Sequence, residues 1–275
     1  MKTQKYITAA AFAPLLLLSA LTAPQITHAA IIAQYHFDEA GGTTAFDSAG
    51  SFNGTLTATG ASFVPGGIAG NAISLDKALG GLVNMGTSFP GFLTGDFSIV
   101  LWVNTTTTLI DTVPLGKHAA GSENGYFIAI NTTGGGGTAN KATFVESEFV
   151  SLGTTSTTTV NNGAWHQIVG VYQAGGNESI YVDGSPAEST NAASAMVGNS
   201  APFLIGGVNQ SGTPNARYTG LVDEVQVYNQ ALTAAQIDFL FQNPTQVIPE
   251  PGTLSLFAFG IVGWLTLKRR SRNAS

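Results

Sequence analysis

Glu146 and Glu148, separated by Ser147 in a run that begins Lys141-Ala142-Thr143-Phe144-Val145, place two carboxylates on one face of an extended strand. Carboxyl pairs are the groups that hydrolyse glycosidic bonds. A retaining mechanism needs them about 5–5.5 Å apart on opposite sides of the bond. Neighbours on one strand approach from a single side, so the pair reads as an edge strand kept soluble by charge. His36, His118 and His166 are scattered without a His-x-x-x-His spacing, and no Gly-x-Ser-x-Gly elbow occurs. Gly134–Gly137 lacks the Lys-Ser/Thr of a phosphate loop and reads as a connector. The chain has no cysteine, which removes thiolate catalysis, Cys-ligated zinc and disulfides. Trp102 and Trp165 have rings that could stack on sugars, but their apolar strand neighbours favour a place in the core.

The elements that must position these residues are short and extended. Phe97, Ile99, Leu101 and Val103 alternate along one strand, with Trp102 on the opposite face. Gln34–Phe37, Gly70–Leu75, Gly81–Met85, Tyr126–Ile130, Lys141–Val145, Trp165–Tyr172, Ser179–Asp183, Phe203–Gly207 and Leu221–Tyr228 read as further strands. Asp183-Gly184 suits a hairpin turn, because glycine adopts positive φ without strain. One helix stands out. Thr233-Ala-Ala-Gln236 is a capping box, followed by Ile237, Leu240 and Phe241 on one stripe. Many short strands with frequent turn signals predict a two-sheet antiparallel β-sandwich or jelly roll. The alternation puts Phe97, Ile99, Leu101, Trp165, Val169, Val171, Val225 and Val227 between the sheets.

Both ends read as export signals. Lys2 and Lys5 precede an apolar stretch from Ile7 to Leu21, and Thr27-His28-Ala29 offers small residues for cleavage after Ala29, with the bond after Ala30 as the alternative. At the other end Pro249-Glu250-Pro251 precedes an uncharged stretch, Thr253–Leu267, and then Lys268, Arg269, Arg270 and Arg272. Fifteen helical residues reach about 22 Å, short of a ~30 Å hydrocarbon core, and flanking cations can snorkel. Without these ends Lys77, Lys117, Lys141 and Arg217 stand against sixteen acids, a net charge of −12. A domain so acidic repels nucleic acid and attracts divalent cations instead.

The C-terminal order of Pro-Glu-Pro, apolar helix and basic tail resembles the PEP-CTERM sorting signal. That resemblance implies export, retention at the inner membrane through the C-terminal helix, and processing by an exosortase-type enzyme before release to the cell surface. A second resemblance rests on Tyr35-His36-Phe37-Asp38-Glu39, Phe97–Val103, Trp165–Tyr172, Ile180-Tyr181-Val182-Asp183-Gly184 and Gly220–Leu232. These segments are similar to LamG-like jelly-roll domains of the concanavalin A-like lectin/glucanase superfamily. The chain thus divides into a signal peptide at 1–29, a LamG-like domain at 30–243, and a linker with sorting segment at 244–275. The resemblance implies an all-β concanavalin A-like sandwich carrying one short helix, with the sorting helix separate. Glycosidases of the superfamily carry a Glu-x-Asp-x-x-Glu strand, and Glu146-Ser147-Glu148 lacks its central Asp and its downstream Glu. The implied function is therefore non-catalytic binding, with extracellular polysaccharide as ligand; a glycoside-active enzyme and a structural or adhesive matrix protein are the alternatives. Members often hold Ca²⁺ between the opening loop and the final strand. Here Asp47, Asn53 and Asp223 are the candidate ligands, with Asp223 expected on the face of Leu221 and Val225. The alternative for Asp223 is that it accepts backbone hydrogen bonds from the loop.

Overall fold

Short apolar runs bounded by Gly, Asn and Asp turns give eighteen strands and one α-helix in this computed structural model, which describes residues 30–89, 95–120, 124–132, 137–146, 153–196 and 198–249. The first six strands are β1 (Ile31–Tyr35), β2 (Thr44–Ala45), β3 (Gly54–Leu56), β4 (Ala61–Pro65), β5 (Asn71–Leu75) and β6 (Val83–Asn84). The next six are β7 (Phe97–Asn104), β8 (Thr112–Ala120), β9 (Asn124–Ile130), β10 (Lys141–Glu146), β11 (Thr154–Thr159) and β12 (Trp165–Tyr172). Then follow β13 (Asn177–Val182), β14 (Ser189–Ala192), β15 (Leu204–Ile205), β16 (Gly207–Gln210), β17 (Thr213–Ala216), β18 (Gly220–Tyr228) and α1 (Ala234–Gln242). The leader and the C-terminal apolar segment lie outside the described residues. Among the described residues no helix is long and apolar enough to cross a membrane.

Two sheets form the sandwich. The first runs β14-β13-β12-β7-β18-β5-β4, with β1 also on β18; the second runs β11-β10-β9-β8-β15-β6-β3-β2, with the β16–β17 hairpin against β8. β18 changes partner along its length. Gly220–Val222 pairs with β5, and Val225–Tyr228 pairs with β1. A bulge marks the change, with Glu224 at φ 44° and the β7 register broken between Asp223 and Gln226. The first strand thus lies on the last, as the jelly-roll reading requires.

Phe97, Ile99, Leu101, Val103, Val225 and Val227 fill the layer between the sheets, as their alternation predicts. β12 corrects the expectation for Trp165, Val169 and Val171. Its register sets Ile168 opposite Leu101 and Tyr172 opposite Phe97, so the even-numbered residues face inward. Val169 and Val171 instead pack outward with Val100, Tyr228, Ile237 and Leu240 beneath α1. Trp165 is half-buried at the strand end on that same outer side. The error has a physical cause: β12 is covered on both faces, so its apolar run carries no alternation from which parity can be read. The helix itself forms as expected. Thr233 and Gln236 cap it reciprocally, Ile237 and Leu240 are buried, and Phe241 stacks on Trp102 at 5.6 Å.

Candidate functional site

The calcium candidates fall in two places. Asp47 and Asn53 meet in the opening loop, where Asn53 Oδ1 accepts the Asp47 N–H at 2.9 Å. Asp47 Oδ1 accepts the N–H groups of Gln34, Ala49 and Gly50 at 3.0–3.1 Å, and Oδ2 accepts that of Phe52 at 3.0 Å. Asp223 lies at the β18 bulge. Its Oδ2 accepts from Ile68 and Ala69 at 2.8 and 3.3 Å, and its Oδ1 accepts the Glu224 N–H at 2.9 Å. Four donors on Asp47 and three on Asp223 turn the positive ends of N–H dipoles toward the space a cation would need, so neither donor set fits Ca²⁺. The backbone-acceptor alternative describes Asp223. Among the described residues no group of three or more His, Cys, Asp or Glu could hold a metal.

The bulge also corrects the facing of Asp223. It is paired with Trp102 on the helix side of the sheet, while Val222 and Val225 both enter the inter-sheet core. The αL residue at 224 absorbs one step of the alternation. The 66–70 turn closes over Asp223 so tightly that a Cβ at Gly67 would lie 2.5 Å from Oδ2. Burial pushes the Asp223 carboxyl up to about 8, against the N–H groups that favour its charged form. Beside it, buried Glu224 places both oxygens 2.9–3.0 Å from His36 Nδ1, and this hydrogen bond raises the imidazole above its ordinary range. Asp38 takes the Asn71 N–H at 2.8 Å. The cluster ties the opening strand, the 66–70 turn and the final strand together. His166 is likewise held, by Asp183 at 2.8 Å and Asn162 at 3.0 Å.

A third polar cluster escaped sequence reasoning. β10 is an inner strand flanked by β9 and β11, and Glu146 is buried rather than solvated. Glu148 lies outside the described residues. Across the second sheet Glu146 is registered with Tyr126, and Tyr126 with Lys117. Across the first, Glu178 is registered with Tyr172, and Tyr172 with Phe97. The two rows face each other at one end of the sandwich, since the Phe97 ring contacts Tyr126 at 4.9 Å and Tyr172 at 5.2 Å. Lys117 donates to the Ala201 carbonyl at 2.5 Å, and burial lowers its ammonium to about 8. Burial also raises Glu146, and pushes Glu178 up to about 7. The signal was present in the parity: Glu146 follows Ala142 and Phe144, Glu178 precedes Ile180 and Val182, and Lys117 follows Leu115.

The surface offers a different chemistry. A trough of about 340 Å³ is lined by Asn104, Thr105–Thr107, Leu109 and Thr219–Leu221. Thr105 and Thr107 use their hydroxyls locally, on the Thr219 carbonyl at 2.7 Å and the Leu109 N–H at 3.3 Å. The exposed Thr106 and the part-exposed Asn104 remain at the wall. Asn104 is registered between Trp165 and Leu221, so the indole sits on the same sheet face as a cross-strand neighbour. Its Nε1 lies 3.3 Å from the Gly66 carbonyl. An aromatic ring beside an amide and a hydroxyl is an arrangement that can hold a neutral sugar.

This two-sheet architecture is that of domain 4 of an extracellular arabinanase from Geobacillus stearothermophilus, solved in complex with arabinotriose. The match has a TM-score of 0.59 at 21% identity and covers 78% of this chain and 100% of that one. Trypanosoma rangeli sialidase in complex with sialic acid matches at 0.56 and 18% identity, over 77% of this chain and 32% of that one. Botulinum neurotoxin type C, whose cell entry depends on two ganglioside molecules, matches at 0.51 and 13% identity, over 79% and 52%. At these identities the likeness is one of fold. The family model of the concanavalin A-like lectin/glucanases superfamily matches residues 76–238, and the chain belongs to that superfamily. A PEP-CTERM protein-sorting motif matches residues 247–270, over the Pro249-Glu250-Pro251 segment. No curated protein matches the chain.

Proposed function

We propose that this protein is an exported, non-catalytic binding domain that recognises extracellular polysaccharide at the cell surface. The observation that carries the reading is the trough lined by Asn104, the cross-strand partner of Trp165, in a fold shared over the full length of a domain solved with arabinotriose. The geometry of the acids favours binding over hydrolysis. Asp47, Asp223 and Glu224 are engaged by backbone or imidazole donors, and Glu146 and Glu178 are enclosed between the sheets. The sorting motif supports export and exosortase processing. In this reading the apolar Thr253–Leu267 segment holds the domain at the inner membrane, with Lys268, Arg269, Arg270 and Arg272 on the cytoplasmic side, until the tail is removed.

A glycan array with the purified chain tests the ligand class. Binding without product release supports the proposal, release of shortened glycan supports an enzyme, and silence on all glycans leaves a structural or adhesive role. Trp165→Ala and Asn104→Ala should each weaken a positive signal about fivefold, because stacking and a well-placed hydrogen bond are each worth on the order of 1 kcal/mol. Unchanged binding in both variants would move the site elsewhere.

A further inference from the structure

The buried end layer contains oxygen atoms that no group among the described residues satisfies. Glu146, Glu178 and Tyr126 are 1–2% exposed, yet Glu146 Oε2, Glu178 Oε2 and Tyr126 Oη have no hydrogen-bond partner among the described residues. The other oxygen of each carboxylate is anchored. The Ser194 N–H donates to Glu146 Oε1, and the Thr154 hydroxyl donates to Glu178 Oε1 at 2.6 Å. Each anchor fixes its carboxylate and leaves the second oxygen free. The three residues belong to one neighbourhood. Tyr126 and Glu146 are cross-strand partners, β10 and β13 approach across the sandwich, and both Tyr126 and Tyr172 rest on Phe97. The Tyr172 hydroxyl donates to the Ser194 carbonyl at 2.8 Å, which brings a further oxygen to the same end.

We propose that this end of the sandwich is a cation site, in which Glu146 Oε2, Glu178 Oε2 and Tyr126 Oη bind a hard divalent ion of the calcium type. Two enclosed carboxylates with no positive partner among the described residues are costly to keep charged, and a cation removes that cost by direct coordination. Every offered atom is oxygen, which selects Ca²⁺ over the transition metals. Two carboxylates and a phenol supply part of the six to eight ligands calcium takes, and carbonyl oxygens and water complete such shells. The lysine registered with Tyr126 does not substitute. The Lys117 amine, one strand beyond Tyr126, is held by the Ala201 carbonyl. The site lies at the opposite parity of the sheets from Asp223 and is independent of any glycan.

The test is terbium luminescence on the full-length chain in detergent, because a bound Tb³⁺ is sensitised by a tyrosine ring in contact with it. A saturable Tb³⁺ signal displaced by Ca²⁺ is expected, together with a melting temperature that rises with Ca²⁺ and falls in EGTA. Glu146→Gln and Glu178→Gln should each weaken Tb³⁺ binding at least tenfold while near-UV circular dichroism stays native, since the amide oxygen still accepts from the Ser194 N–H or the Thr154 hydroxyl. Asp223→Asn should leave the signal in place. The proposal is overturned by identical melting in EGTA and calcium without a Tb³⁺ signal. It is equally overturned by a signal that survives both Gln variants, or one lost only in Asp223→Asn.

Discussion

Gly170 lies at the centre of β12, facing inward between Ile99 and Ile180, where a methyl group has nowhere to go. A Cβ at this position would sit 2.7, 2.8 and 2.9 Å from Cδ2, Cγ and Cε2 of Phe144. Carbon atoms in contact stand about 3.5–4.0 Å apart, so the ring would have to retreat by roughly 0.8 Å. Phe144 is fully enclosed and packs edge-on against Phe97 at 6.2 Å, which leaves little room for that movement. Overpacking of this kind costs about 1–3 kcal/mol, and replacing a strand glycine by alanine returns about 0.5–1 kcal/mol. Gly170→Ala should therefore destabilise the domain by about 1–2 kcal/mol. At 2–4 °C per kcal/mol for a domain this size, the melting temperature should fall by about 2–8 °C. Phe144→Leu alone opens space and should also destabilise. The double variant should be more stable than the sum of the two single losses predicts, by at least about 0.5 kcal/mol. Urea denaturation of the four proteins measures the coupling. Strict additivity, or a Gly170→Ala protein as stable as the parent, would refute the facing assigned to β12.

The outer face of that strand gives a complementary prediction. Val169→Asp would place an unpaired carboxylate under α1 against Ile237 and Leu240, at a cost above about 4 kcal/mol, and the protein should fail to appear in the soluble fraction. Asp47→Ala would strand four backbone N–H groups and should cost about 3 kcal/mol by urea unfolding, with Asp47→Asn intermediate because it keeps one acceptor oxygen. The Glu178 carboxyl, raised from 4.5 to about 7, predicts a pH dependence in chelator. Below about 4.5 both states are protonated and its contribution is fully present; as pH rises toward 7 the unfolded chain releases its proton first, and up to about 3 kcal/mol of stability is lost. Glu178→Gln should flatten that part of the pH–stability curve, and an unchanged slope would place the proton elsewhere.

What the sequence made legible depended on whether one face of an element meets water. α1 was readable because its exposed face is polar and its cap residues are reciprocal, so Thr233, Gln236, Ile237 and Leu240 all behave as their spacing predicts. β7 was readable because the bulky residues at 97, 99 and 101 repeat with a period of two and Trp102 breaks the pattern toward α1. β12 was opaque for the opposite reason. With a sheet on one side and a helix on the other, its parity is fixed by pairing with β7, a contact between residues some 60 positions apart. The bulge in β18 was invisible in the same way, since nothing local marks Glu224 as the residue that turns left-handed and moves Asp223 to the helix side.

The same principle separates the two sets of acids. Asp47 and Asp223 were singled out because carboxylates in the opening loop and final strand suggested ligands, and the folded chain directs backbone N–H groups onto both. Glu146 reads as an edge charge in the sequence, yet it continues the inward parity of Ala142 and Phe144 and is buried. A charged residue that extends an apolar alternation by one step is a stronger indication of a buried polar site than a charged residue in a loop. A loop can always bend its backbone to meet a carboxylate, whereas a strand in the middle of a sheet has already committed its N–H groups to its neighbours. Whatever meets the free oxygens of Glu146 and Glu178 must therefore come from another element, from a proton or from an ion. That is why the sandwich end, and not the opening loop, is the place to look for bound calcium.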